Sequence, residues 1–160
     1  MKYLLCLAAL LAVNTSHALG VKDALHSAIA QAETKPAPIP QKAPSTQPYG
    51  LAFIFSSRCP YCHKFAPTLV QFAKQTGLTV YPFSVDGAGL PQYPNPLTAT
   101  QEIVQEFYHT TTNITYPALF LVNLNTRKHV TLSMGNVPLS ALQTTYGASL
   151  NYPHLKAKLQ

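Results

Sequence analysis

Cys59-Pro60-Tyr61-Cys62 are the residues of this chain best suited to chemistry. Two cysteines separated by two residues can close a small disulfide ring and open it again. If the first stands where a helix begins, the unpaired backbone N–H groups there stabilise its thiolate. Such a thiolate attacks a disulfide of another molecule, and the second cysteine then displaces the mixed intermediate. The pattern assigns Cys59 as the attacking sulfur and Cys62, one turn into the helix, as the more buried resolving thiol. Four neighbours are expected to tune the pair. Arg58 and His63 lie close enough in sequence to depress the Cys59 pKa by their charge. Pro60 fits the first helical position, where no N–H is needed, and Tyr61 adds an apolar ring. His63 reads equally well as an ordinary surface residue.

Other readings of the cysteines are weaker. A purely structural disulfide at this spacing would constrain little chain. A zinc site would need a second pair, and His63, His109, His129 and His154 do not have ligand spacing, so neither metal nor cofactor is expected. An alternative from a different class is a redox-inactive module. It would hold unfolded clients, or carry a metal ion on Cys59, Cys62 and His63 as a metallochaperone does.

Positioning this pair takes a strand before it and a helix after it. Residues 51–56 are apolar and β-prone, and Ser56-Ser57-Arg58 makes the turn. From Cys59 the apolar residues Phe65, Leu69, Phe72 and Ala73 recur at helical spacing. That helix is expected to be interrupted at Pro67 and closed by Gly77. A second strand is predicted over 78–85, ended by Asp86-Gly87-Ala88-Gly89, where Asp86-Gly87 reads as a strand-ending turn. A loop containing Pro91, Pro94 and Pro96 leads to a helix over 99–109. Residues 118–122 form a nearly continuous apolar strand, of the kind buried on both faces. A turn at 123–126 leads into a pairing strand at 129–134. Gly135 then bends the chain, and a last helix is expected from Pro138 to Tyr146.

The first 48 residues read differently. Residues 1–18 look like a secretory signal peptide, with Lys2, an apolar stretch from Leu4 to Val13, and small residues around Ser16-His17-Ala18. The stretch is too short to span a bilayer, so no stable membrane insertion is expected once it is removed. Cys6 would leave with it, and only the close pair would remain in an exported, periplasmic protein. Residues 19–48 hold a short helix over 21–33 and a linker with Pro36, Pro38, Pro40, Pro44 and Pro48, extended and semi-rigid. The globular domain is expected over 49–160, about 110 residues and a normal size for one domain. The formal charge of +6 is scattered. Without a basic stripe interleaved with aromatics, nucleic-acid binding is a poor reading.

The order of elements, with the cysteine pair at the first strand-to-helix junction, resembles the thioredoxin fold: α/β, a central mixed sheet flanked by helices. Pro67 lies eight residues after Cys59, Tyr116-Pro117 precedes a buried strand, and Gly135 precedes the last helix, all as in thioredoxins. The resemblance implies a cis-proline at Pro117 beside the active site. Tyr116 and Pro117 would then offer a backbone edge to a bound substrate segment, with Tyr61, Tyr116 and Pro82 as an apolar rim. Cys59-Pro60-Tyr61-Cys62-His63-Lys64 also resembles periplasmic isomerases of the DsbC type. The match tightens with Val80-Tyr81-Pro82-Phe83-Ser84-Val85-Asp86-Gly87-Ala88-Gly89 and Tyr116-Pro117-Ala118-Leu119-Phe120-Leu121-Val122-Asn123. Together these resemble the TrbB family, periplasmic thiol–disulfide isomerases of F-type conjugative transfer systems. The resemblance implies disulfide formation or reshuffling in exported components of a conjugative pilus or type IV secretion apparatus; the exchange chemistry itself calls for a redox partner protein to keep the pair reduced or oxidised. Two positions depart from the pattern. Tyr116 replaces the usual threonine, and Phe53 stands where thioredoxin and DsbA keep a buried acid.

Overall fold

The computed structural model describes residues 48–160. The expected signal peptide, the short helix over 21–33 and the proline-rich linker lie outside these residues. The elements are β1 (Tyr49–Phe55), α1 (Pro60–Thr76), β2 (Thr79–Ser84), β3 (Leu97–Thr98), α2 (Gln101–Tyr108), β4 (Ala118–Asn123), β5 (His129–Met134), α3 (Leu139–Asn151) and α4 (Pro153–Ala157). They build a five-stranded mixed sheet in the order β3-β2-β1-β4-β5. β2 runs parallel to β1 and to β3, whereas β4 is antiparallel to both β1 and β5.

Side-chain alternation along β1 explains why the sheet carries helices on both faces. Leu51, Phe53 and Phe55 enter one core with Cys62, Phe65, Leu69 and Phe72 of α1 and Leu142 of α3. Ala52 and Ile54 enter the other with Ile103 and Phe107 of α2 and with Phe120 of β4. Every residue of β4 is buried, which accounts for its continuous apolar run. The fold is thioredoxin-like, as the order of the predicted elements implies.

Four local features differ from expectation. α1 runs unbroken through Pro67. Pro67 lies on the exposed face, where water can serve the carbonyl that the missing N–H leaves free. The short β3 had no periodic signal, because two residues suffice to pair Leu97 with Phe83 and Thr98 with Ser84. α2 begins at Gln101, two residues later than expected, where the Thr100 side chain accepts the Ile103 N–H as an N-cap. α3 continues past Tyr146 to Asn151, and Pro153 opens α4. Among the described residues, no helix is long and apolar enough to cross a membrane.

Candidate active site

The sequence places Cys59 by ending β1 at Phe55 and opening α1 at Pro60. Cys59 is the N-cap residue in extended conformation (φ −86°, ψ 113°), with Pro60 as the first helical residue. Its carbonyl accepts the N–H groups of Cys62 at 3.0 Å and His63 at 3.3 Å, so the helix closes directly behind it. Both cysteines are free thiols: Cys59 is half-buried and Cys62 is buried. Burial pushes the Cys62 thiol up to about 12, reinforced by its hydrogen bond with Cys59 and by the charges of Cys59 and Asp86. A main-chain hydrogen bond from Ser56 works in the opposite direction.

Across from Cys59 lies the segment before β4. The Tyr116–Pro117 peptide is cis, and the Cys59 sulfur faces the Tyr116 carbonyl oxygen at 3.9 Å. The Pro117 carbonyl accepts the Gly135 N–H at 2.7 Å, which fastens this segment to the end of β5. The Tyr116 ring is half-buried and packs against both cores. Tyr61 is 60% exposed beside the pair, with the Lys64 ammonium 5.8 Å from its ring centre. Pro82 corrects an expectation. It is buried within β2, in register with Phe53, and forms no part of an apolar rim.

Arg58 and His63 are engaged elsewhere than at the sulfurs. The Arg58 side chain, 86% exposed, reaches towards Asp86 at 3.7 Å. His63 Nε2 donates to the Ser57 carbonyl at 2.7 Å. A carbonyl only accepts, so that nitrogen carries the hydrogen. Phe53 is fully buried among Phe55, Phe65 and Tyr93 at centroid distances of 4.9, 5.8 and 5.4 Å. No carboxylate occupies that position. Among the described residues, no three His, Cys, Asp or Glu side chains gather as a metal-binding group.

Asp86 is the residue that sequence reasoning undervalued. Its carboxylate accepts Ser56 Oγ at 2.8 Å, the Ser57 N–H at 3.0 Å, Ser57 Oγ at 3.0 Å and Ser84 Oγ at 2.8 Å. Gly87, at φ 75°, turns the chain back so that the Ala88 carbonyl also lies 2.7 Å from Ser84 Oγ. Burial opposes the Asp86 charge, but the donors from Ser56, Ser84 and Ser57 outweigh it and hold the carboxyl well below the usual carboxylate range. The available signal was the run of serines at 56, 57 and 84, whose meeting point depends on β1 lying beside β2.

The model of the TraF family, F plasmid transfer operon protein, matches residues 30–145. The chain belongs to this family. Its relatives include protein TrbB of Escherichia coli (strain K12), 35% identical over 85 residues. That match takes in 53% of this chain and 46% of TrbB, so it spans less than half of that relative's length. Among solved structures, the chain is similar to a secreted Mycobacterium tuberculosis disulfide oxidoreductase homologous to E. coli DsbE. Identity there is 19%, coverage 65% of this chain and 84% of that one, and the TM-score 0.42. It is also similar to StoA from Bacillus subtilis, at 20% identity, 67% and 85% coverage and a TM-score of 0.41.

Proposed function

We propose that this TraF-family protein is a periplasmic thiol–disulfide oxidoreductase that acts as an isomerase on exported components of a conjugative transfer apparatus. The observation that carries this reading is the inequality of the two sulfurs. Cys59 is accessible at the start of α1, and Cys62 is sealed in the core behind it. In the first step the Cys59 thiolate attacks one sulfur of a client disulfide. A Cys59–client bond forms, and the other client sulfur leaves as a thiolate. Two exits follow. A client thiolate can attack the mixed disulfide, which frees Cys59 unchanged and leaves the client with a new pairing. Alternatively, Cys62 loses its proton and attacks Cys59, so that the pair is oxidised and the client is reduced by two electrons. The raised pKa of Cys62 slows the second exit at neutral pH and thereby supports isomerisation over reduction. The Tyr116 carbonyl opposite Cys59 suits pairing with an extended client segment. The family match and the TrbB relative support the conjugative setting.

Insulin reduction and the refolding of scrambled ribonuclease, compared for wild type, Cys59→Ser and Cys62→Ser, test this reading. Cys59→Ser is expected to lose both activities, whereas Cys62→Ser should lose insulin reduction, where it accumulates a client adduct, and retain ribonuclease refolding through the first exit. Full activity of Cys59→Ser removes the enzymatic reading. Stoichiometric tight uptake of copper or zinc by the reduced wild type would favour a metal carrier instead.

A further inference from the structure

We infer that Asp86 is a positioning residue that sets how long a client stays joined to Cys59. It does so by anchoring the turn that carries Cys59 and by placing a carboxylate against that turn. This inference rests on the exchange chemistry proposed above. The connection runs through Ser56. Its carbonyl accepts the Cys59 N–H at 3.2 Å, and its hydroxyl donates to Asp86 at 2.8 Å. Ser57 is tied to the same carboxylate through its N–H and its hydroxyl. Ser84 anchors the carboxylate from β2. The turn before the reactive sulfur is therefore hung on one anion.

That anion also acts at a distance. Ionisation of Cys62, which the resolving attack requires, creates a second negative charge near the first and is disfavoured by it. Other ionisable groups face this region: Arg58 in the turn, Cys59 and His63 at the start of α1, Tyr116 before β4 and Tyr108 on α2. Arg58 carries the opposite sign, but its side chain is so exposed that solvent screens it. The phenols of Tyr116 and Tyr108 are pushed up by burial and, secondarily, by neighbouring charges that include Cys62. They therefore stay neutral and add no further negative charge beside Cys62 at neutral pH. With Phe53 fully buried six residues before Cys59, the carboxylate that influences the buried sulfur comes from the end of β2. It restrains Cys62 and does not take its proton, since so stable a carboxylate is a poor base.

The test follows one step in isolation. Reduced full-length protein attacks oxidised glutathione, giving Cys59 bonded to glutathione and one glutathione thiolate. Cys62 then gives its proton to solvent and attacks Cys59, and the second glutathione leaves as a thiolate. Release of that second glutathione is timed from pH 6 to 9. Asp86→Asn keeps the size of the side chain and removes its charge. It is expected to release glutathione about two- to tenfold faster at pH 7, with its rate profile displaced to lower pH. Ser84→Ala keeps the charge and drops one tether. Its release rate should stay within about twofold of wild type even if it melts at a lower temperature.

Equal or slower release by Asp86→Asn, with an undisplaced profile, overturns the inference while leaving the exchange chemistry intact. Asp86→Ser provides a second neutral variant, and failure of both to fold marks a purely structural residue and overturns it as well. If wild type forms no mixed disulfide with glutathione, the exchange reading itself falls and this inference falls with it.

Discussion

Cys62 donates its main-chain N–H to the Cys59 carbonyl at 3.0 Å, yet the two sulfurs occupy different media, one at the surface and one in the core. Their difference can be read as a function of pH. In the folded reduced protein the Cys62 pKa lies near 12 against an ordinary 9.0. The folded state therefore holds the proton more tightly than the unfolded chain. The resulting stabilisation is complete below pH 9 and is lost as pH rises towards 12, by up to about 1.4 kcal/mol per pH unit for one group. Urea unfolding of reduced wild type between pH 9 and 10, before most tyrosines titrate in the unfolded chain, should show this slope. Cys62→Ala should show a flatter one. Equal slopes would contradict the assignment.

The acid limb has the opposite sign. Asp86 is held below the usual carboxylate range by the serine hydroxyls, after they overcome the penalty of burial. Its contribution is present above the unfolded value of 3.8 and disappears as pH falls below it. Wild type should lose stability below about pH 4 more steeply than Asp86→Asn. Thermal melts at pH 3 and pH 6 check this, and parallel losses in both proteins would refute it.

Phe53 is packed on three aromatic rings with no exposed surface. Phe53→Ala leaves a cavity and is expected to cost about 3–5 kcal/mol. Phe53→Asp buries an unpaired carboxylate and should prevent folding at neutral pH. Chemical denaturation and near-ultraviolet circular dichroism measure the two outcomes. A stable, active Phe53→Asp would mean that this position tolerates an acid as thioredoxin does.

Gly89 carries a different constraint. A Cβ there would lie 2.5 Å from the Pro94 main-chain oxygen and 2.7 Å from that of Tyr93. Leu90 and Tyr93 bond each other's main chains just beside it, at 3.1 and 2.9 Å. Gly89→Ala must therefore push apart a backbone loop, at an expected cost of about 1–3 kcal/mol. Its urea midpoint relative to wild type reports the effect, and an unchanged midpoint would show that the loop yields freely.

Tyr116→Thr restores the residue expected from related isomerases while retaining the carbonyl that faces Cys59. Initial insulin reduction should remain within about threefold of wild type. Stability should fall by about 1 kcal/mol through the lost burial of a half-buried ring. A rate loss beyond about tenfold in a folded protein would assign the ring a direct part in client binding.

Much of this architecture was legible because its signals are local. β1 and β4 announce themselves as unbroken apolar runs, and the Cys-Pro-Tyr-Cys segment marks the start of α1 through Pro60. The spacing of Phe65, Leu69 and Phe72 gives the buried face of that helix. Features that depend on distant partners were not legible. β3 exists because Phe83 and Ser84 offer it an edge. Pro67 sits inside a helix because its face is wet. The significance of Asp86 lies in serines about 30 residues away, and no periodicity brings residues 56 and 86 together. The side chains of Arg58 and His63 turn to Asp86 and Ser57, which neighbour counting along the chain does not reveal.

The group opposite the reactive sulfur is a peptide carbonyl, an atom that every amino acid at position 116 would supply. An interaction built on it is indifferent to what the visiting polypeptide spells. It asks only that a stretch of that polypeptide have its own amide hydrogens unclaimed. On the proposed reading, folded neighbours with their ladders already filled have no such hydrogens to offer, whereas an unfinished client does.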